Sequence, residues 1–196
     1  MESVRNKRKV KDAPVMLLRP VGVVRSPVKN PSLVAESGDL ERQAEAVNAR
    51  DERSTISKIV IDRSLGGIVD GIEDFSHLLV LYWAHFVPNQ RGSLIKVHPM
   101  GRKDFPLVGI FATRSPARPN PICVTAVRLL KHRGNTLTVE GLDAVDGSPL
   151  IDIKPYNPHY DTVGGVKLAD WMVRGQQELA EAHNDRKRLA ASQGGT

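Results

Sequence analysis

The sequence predicts a mainly β protein, a small antiparallel barrel that carries an inserted helical segment and a C-terminal helix. Three observations lead there. Strand-like runs outnumber helical ones and are joined by short connections, strands and helices do not alternate, and 196 residues with 40% hydrophobic content suit a single core. Gly-x-Gly-x-x-Gly is absent, which argues against a Rossmann-type site, so a nucleotide-like cofactor would have to be held in another way.

Along the chain, residues 1–14 form a basic arm. Its first twelve residues set Arg5, Lys7, Arg8, Lys9 and Lys11 against Glu2 and Asp12, half of the net charge of +6, which reads as a solubilising segment. Residues 15–160 are the barrel domain. An apolar run over 15–25, interrupted by Pro20 and Gly22 and stopped at Ser26-Pro27, predicts a straight or bent strand. Residues 37–53 are charged, with only Leu40, Ala44 and Val47 at helical spacing, and predict a thin helix inserted in a loop. Alternation over 57–61 predicts a half-buried strand, followed by a short helical turn around 65–71.

Residues 77–86 (HLLVLYWAHF) are almost wholly apolar and predict a central strand covered on both faces. Further strands are expected at 94–97, 109–113 and 122–130. A turn at Arg133-Gly134-Asn135 leads into a return strand over 136–140, the clearest hairpin in the chain. After a turn at Asp146-Gly147, residues 149–156 are extended. The segment 161–196 holds a helix over 166–189, with Leu168, Trp171, Gly175, Leu179 and Leu189 as a weak stripe and Trp171 packing it down.

Several classes are excluded at this level. No window approaches a membrane span, and no apolar signal-type stretch follows the basic start, so a soluble, cytoplasmic protein is expected. Cys123 is the only cysteine, which rules out an intramolecular disulfide and a Cys-based zinc site. His77, His85 and His98 match no zinc spacing, and no metal is expected. His77, Tyr82 and Trp83 are read as core residues, and His85, at the end of the central strand, as a pocket wall. A pI near 9.6 suits a nucleic-acid partner, although half of the charge sits in the arm.

Two segments carry chemistry. Residues 109–122 (GIFATRSPARPNPI) run from a strand into a loop stiffened by Pro116, Pro119 and Pro121. Such a loop presents Arg114 and Arg118 to a carboxylate or phosphate with little entropy to lose. A rigid surface loop or a polyproline ligand is the plainer reading of the same residues. In residues 141–156 (GLDAVDGSPLIDIKPY), alternation puts Asp152 and Lys154 on one strand face, where they can act on substrate or simply pair as ions.

Taken together with VGVVRSP at 21–27, DGIEDFSHLLVLYWAH at 70–85 and PLVGIFATRSP at 106–116, these segments resemble the tRNA threonylcarbamoyladenosine methyltransferases, the TrmO or TsaA-like family. The resemblance implies a single-sheeted β-barrel and S-adenosyl-L-methionine as methyl donor. It further implies a homodimer with cofactor sites near the subunit interface, and tRNA as substrate, methylated on the exocyclic nitrogen of a threonylcarbamoyl-modified adenosine beside the anticodon. It places His85, Phe86, Arg114, Val124, Asp146, Gly147, Ser148, Pro149 and Leu150 at the cofactor. Arg118, Asn120, Asp152, Lys154 and Tyr156 match signature residues, with Asp152 the first candidate for the base, Lys154 and Tyr156 orienting the substituent, and Arg118 and Asn120 holding the nucleotide. The chain departs from the family pattern in its 37–53 insertion and in Cys123, where glycine is usual. Methyl transfer to a small molecule and a non-catalytic cofactor sensor are the competing functions.

Overall fold

The computed structural model describes residues 16–36, 38–43, 54–87 and 94–193. The basic arm and residues 44–53 of the expected insertion lie outside the described residues. The described chain runs through β1 (Gly22–Arg25), β2 (Leu33–Glu36), β3 (Asp39–Arg42), β4 (Ile56–Ile61), β5 (His77–Trp83), β6 (Lys96–Val97), β7 (Val108–Gly109), β8 (Ile122–Arg133), β9 (Thr136–Glu140) and β10 (Pro149–Pro155). Two helices follow, α1 (Pro158–Asp161) and α2 (Asp170–Gln193). Six of the strands close a barrel in the order β1-β10-β5-β8-β9-β4, with every neighbour antiparallel and β1 returning to β4. β2–β3 and β6–β7 are separate two-stranded ribbons beside it.

Period-two alternation fills the barrel. Ile59, Leu78, Val80, Leu137 and Val139 point inward and are fully buried, joined by Val24 and Leu150. Closure depends on Gly22, because a Cβ there would lie 2.4 Å from the Val60 carbonyl oxygen across the β1–β4 pair. The β8–β9 hairpin forms as expected, with Arg133 paired to Thr136 and Gly134 at φ 53 in the turn. The single closed sheet implied by the family resemblance is the sheet the chain forms.

Other expectations need correction. Where residues 37–53 predict a helix, residues 39–42 are a strand. Glu36 pairs with Asp39 around Gly38 at φ 83, and Leu40 is buried in a second core with Leu94, Val97, Ile110 and Ala117. The Asp39 carboxylate fixes that hairpin by accepting from the His98 backbone N–H, the His98 imidazole and the Lys103 ammonium. Residues 109–113 are mostly a tight 3-10 turn, Ile110–Ala112, closed when the Thr113 hydroxyl donates to the Ile110 carbonyl oxygen at 2.8 Å. The expected strands over 15–25 and 94–97 shrink to β1 and β6, the turn expected at 65–71 appears as 3-10 turns at Arg63–Leu65 and Ile72–Asp74, and α2 starts at Asp170.

The central strand is not covered on both faces. Leu78, Val80 and Tyr82 are buried, whereas Leu79, Leu81 and Trp83, on the outside of the barrel, are only half-buried. His77 is exposed at the start of β5, its Nδ1 bonded to the Ser76 hydroxyl, and is not a core residue. Trp171 does pack α2 down, against Phe105 with ring centroids 5.8 Å apart. Gly175 gives Phe105 its room, since a Cβ there would lie 3.2 Å from the ring. Arg102 and Arg174 sit over the Phe105 ring and pair with Asp104 and Glu178, which completes the attachment of α2.

Candidate active site

A cleft of about 1510 Å³ opens at the barrel mouth where β5 ends and β8 begins. Its floor is made by Tyr82, Cys123, Thr125 and Asp143, and its sides by the 27–32 segment, the β2–β3 hairpin, the 111–118 loop and one face of α2. Tyr82, Cys123 and Thr125 come from the inward-facing positions of β5 and β8, where Tyr82 pairs with Cys123 and Val80 with Thr125. Asp143, on the loop after β9, accepts hydrogen bonds from the Tyr82 hydroxyl at 2.9 Å and from the Thr125 hydroxyl, both on Oδ1. Burial, and then the Asp143 charge, push the Tyr82 phenol well above the usual tyrosine range; the same two causes raise the Cys123 thiol.

The proline-rich loop is braced from within. The Ser115 N–H donates to the Thr113 hydroxyl and the Ala117 N–H to the Ser115 hydroxyl, both at 3.2 Å. Arg118 donates through Nε to the Ser115 carbonyl oxygen at 3.0 Å and through Nη2 to that of Thr113 at 2.8 Å, with its guanidinium 5.8 Å from the Phe111 ring centroid. Arg114 uses Nη2 to donate to the Val124 carbonyl oxygen at 2.7 Å, which ties the loop to β8. Both arginines line the cleft, and Phe111 and Phe86 stand exposed beside them.

His85 and Phe86 follow β5 at the rim, with ring centroids 4.3 Å apart. His85 Nδ1 lies 3.3 Å from the hydroxyl of the buried Ser148. Asp146 acts on the wall from behind. It accepts from the Ser26 N–H at 3.0 Å and from Lys29 Nζ at 2.8 Å, so the 26–29 segment is held over the cleft. Those two bonds, that of Lys29 first, hold its carboxyl below the ordinary range.

Of the residues singled out in the sequence, the structure brings His85, Phe86, Arg114, Arg118, Val124 and Ser148 to the cleft. Gly147, at φ 82, lies next to His85, and Pro149 and Leu150 begin β10, Leu150 inside the barrel core. Asn120 is exposed outside the lining. Asp152 and Lys154 pair at 2.6 Å on the outer face of β10, and the Tyr156 hydroxyl meets that of Thr162 at 3.1 Å; none of the three lines the cleft. The sequence reading did not single out Asp143, Thr125, Lys29 or Phe111. Asp143 falls within GLDAVDGSP, but nothing in that stretch points to its partners 61 and 18 residues away.

Among the described residues there is no group of three or more His, Cys, Asp or Glu side chains that could hold a metal ion, and no helix long and apolar enough to cross a membrane. Fold and cleft together define a small closed antiparallel β-barrel with a wide cleft at one mouth. Residues 32–162 match the family model described as the tRNA-methyltransferase O N-terminal domain, and the chain belongs to that family.

A probable S-adenosyl-L-methionine-binding protein of Pyrococcus abyssi is 37% identical over 173 residues, which is 88% of this chain and 85% of that protein. The human tRNA (adenine(37)-N6)-methyltransferase is 39% identical over 112 residues, 55% of this chain but only 24% of that longer protein. The crystal structure of TrmO from Pseudomonas aeruginosa aligns with a TM-score of 0.58 at 23% identity, over 80% of this chain and 63% of that one, a likeness of fold.

Proposed function

We propose that the protein transfers a methyl group from S-adenosyl-L-methionine to the exocyclic nitrogen of an adenine in tRNA, and that the adenosine beside the anticodon, carrying a threonylcarbamoyl group, is its substrate. One observation carries the reading beyond family membership. A typical small-molecule pocket holds roughly 300–1,000 Å³, and the cleft, at about 1510 Å³, exceeds that. It has room for a cofactor and a flipped-out nucleotide side by side.

The side chains present fit this cofactor, which carries a carboxylate, a purine and a positive sulfonium. Arg114 keeps donors beyond the one used on Val124, Phe86 and Phe111 offer aromatic faces, and Asp143 supplies negative charge on the floor. Arg114 would hold the carboxylate, and His85, Phe86, Val124 and Ser148 would line the remainder, with Asp146, Gly147, Pro149 and Leu150 shaping the wall. The cofactor supplies an electrophilic methyl whose leaving group is a neutral thioether, so no general acid is needed. What remains for the protein is alignment and care of the proton on the attacking nitrogen. Arg118, braced against its own loop beside Phe111, and Asn120 would orient the nucleotide.

The protein is proposed to act in the cytoplasm as a homodimer closed through the outer face of β5, β8 and β10. Leu79, Leu81 and Trp83 are half-buried there and Val124 is 39% exposed, an apolar patch flanked by the Asp152–Lys154 pair. Asp152, Lys154 and Tyr156 are assigned to that face. Incubation with methyl-labelled cofactor and tRNA bearing or lacking the threonylcarbamoyl group, followed by nucleoside analysis, tests the function. Label on the modified adenosine alone supports it; label on a small molecule, or none, refutes it.

A further inference from the structure

We propose that Asp143 is the general base of the methyl transfer, positioned by Tyr82 and Thr125; this rests on the methyltransferase reading. Asp143 is the only carboxylate among the described residues that line the cleft. Three elements converge on it: the end of β5 through Tyr82, the start of β8 through Thr125, and the loop after β9. Both hydroxyls donate to Oδ1, which fixes the carboxylate plane and leaves Oδ2 without a hydrogen bond among the described residues.

The character of these partners matters more than their number. Other carboxylates near the site are committed to cations, Asp146 to Lys29, Asp152 to Lys154 and Asp39 to Lys103. A carboxylate committed to a cation has that partner seated on the oxygen a substrate proton would need. Asp143 has neutral partners only, so it is oriented without being neutralised. A purely structural carboxylate has no use for a free oxygen on the floor of a cleft rimmed by Lys29, Arg114 and Arg118.

The competing acceptors are weaker. The Tyr82 phenol is held in its protonated form by burial and by Asp143, so it does not serve as the base, and the Cys123 thiol is pushed the same way. Asp152 lies outside the cleft. His85 stands at the rim, with Nδ1 toward Ser148 and its ring against Phe86. In the step itself, the lone pair of the exocyclic nitrogen forms the new N–C bond while the S–C bond of the donor breaks and its electron pair stays on sulfur. The N–H proton passes to Oδ2 of Asp143, leaving a neutral methylated base, a neutral thioether and a protonated Asp143 that returns its proton to water.

Single-turnover transfer to tRNA and calorimetric binding of S-adenosylhomocysteine are measured for the wild type, Asp143→Asn, Asp143→Ala, Tyr82→Phe and His85→Gln. Asp143→Asn is expected to slow transfer about 100-fold or more while melting temperature and affinity for S-adenosylhomocysteine, which carries no sulfonium charge, hold, with formate partly restoring Asp143→Ala. Tyr82→Phe, which keeps the carboxylate but frees it from one anchor, is expected to slow transfer less, again without loss of affinity. Wild-type rates in Asp143→Asn, a parallel loss of cofactor affinity, or a large loss confined to His85→Gln would each overturn the assignment while leaving the methyltransferase reading standing. A wild type that binds cofactor but transfers nothing to tRNA overturns both.

Discussion

Replacing Arg114 by alanine isolates the contact on which cofactor binding is proposed to depend. The guanidinium has five N–H donors, and one is spent on the Val124 carbonyl oxygen at 2.7 Å, so a planar pair of donors stays available to a carboxylate. A charge-assisted hydrogen bond of this kind contributes about 1.5–3 kcal/mol. Arg114 is exposed, and water competes for both partners, which places the loss toward the lower end, roughly 10- to 30-fold in Kd. The fold should tolerate the change, because the freed Val124 carbonyl can turn to solvent at a cost of about 1 kcal/mol or less. Arg114→Lys should fall between wild type and alanine, keeping the charge but not the two-pronged geometry. The decisive comparison uses calorimetry with S-adenosylmethionine and with its decarboxylated analogue. The alanine variant should lose affinity for the first and none for the second. Equal losses for both, or none for either, would show that Arg114 does not meet the carboxylate.

Three further outcomes follow from the same geometry. Leu40→Ala removes a side chain that is 1% exposed from the core beneath the β2–β3 hairpin; chemical denaturation should register a loss of about 2–5 kcal/mol, and cofactor affinity should fall with it because that hairpin walls the cleft. Burial raises the Asp39 carboxyl, but its bonds from Lys103, His98 and Leu40 outweigh that and hold it well below the ordinary range. Its contribution to stability is therefore complete above the unfolded carboxylate range and is lost as pH falls below about 4; Asp39→Asn should be less stable at neutral pH and flatten the acid limb of a stability-against-pH curve, and an unchanged limb would contradict the assignment. Light scattering should give twice the 21.5 kDa of one chain for the wild type and a single chain for Leu81→Arg, with a monomeric, fully active wild type refuting the dimer.

Much of the barrel was legible because its strands are short apolar or alternating runs joined by short connections, and its hairpin carries a glycine where the turn needs one. The misreadings share a cause. Leu40, Ala44 and Val47 fit helical spacing, yet Gly38 and the burial of Leu40 against Val97 and Ile110 made a strand of residues 39–42, a tertiary contact that local periodicity cannot register. The 3-10 turn at Ile110–Ala112 depends on one hydroxyl, that of Thr113, closing back on Ile110. His77 looked like core because it opens an apolar run, but strand phase put Leu78 inside and His77 out. For the site, the rim was readable as a motif, since Arg114 and Arg118 sit in one rigid loop. The floor was not, because Tyr82, Thr125 and Asp143 belong to three separate elements and meet only when the barrel closes.

That division between floor and rim has a mechanical basis. A closed sheet has no free edge along which strands can slide, so Tyr82 and Thr125, anchored in register on β5 and β8, cannot shift independently. The loop carrying Asp143 is fastened on both sides, by the Gly141 N–H to the Thr55 carbonyl oxygen and by the Gly147 N–H to that of Val24, each at 2.9 Å. The rim is held differently. Lys29–Asp146, Lys103–Asp39 and the pairs around Arg102 and Arg174 are ionic contacts at or near the surface, which salt and solvent weaken. Methyl transfer in line rewards a fixed floor, because small displacements of the aligned groups reduce the rate steeply. Seating a nucleotide beside the cofactor requires walls that can yield. Substitutions among Tyr82, Thr125 and Asp143 should therefore act on the rate of transfer, and substitutions in the 27–32 segment, the β2–β3 hairpin and α2 on which substrate is admitted.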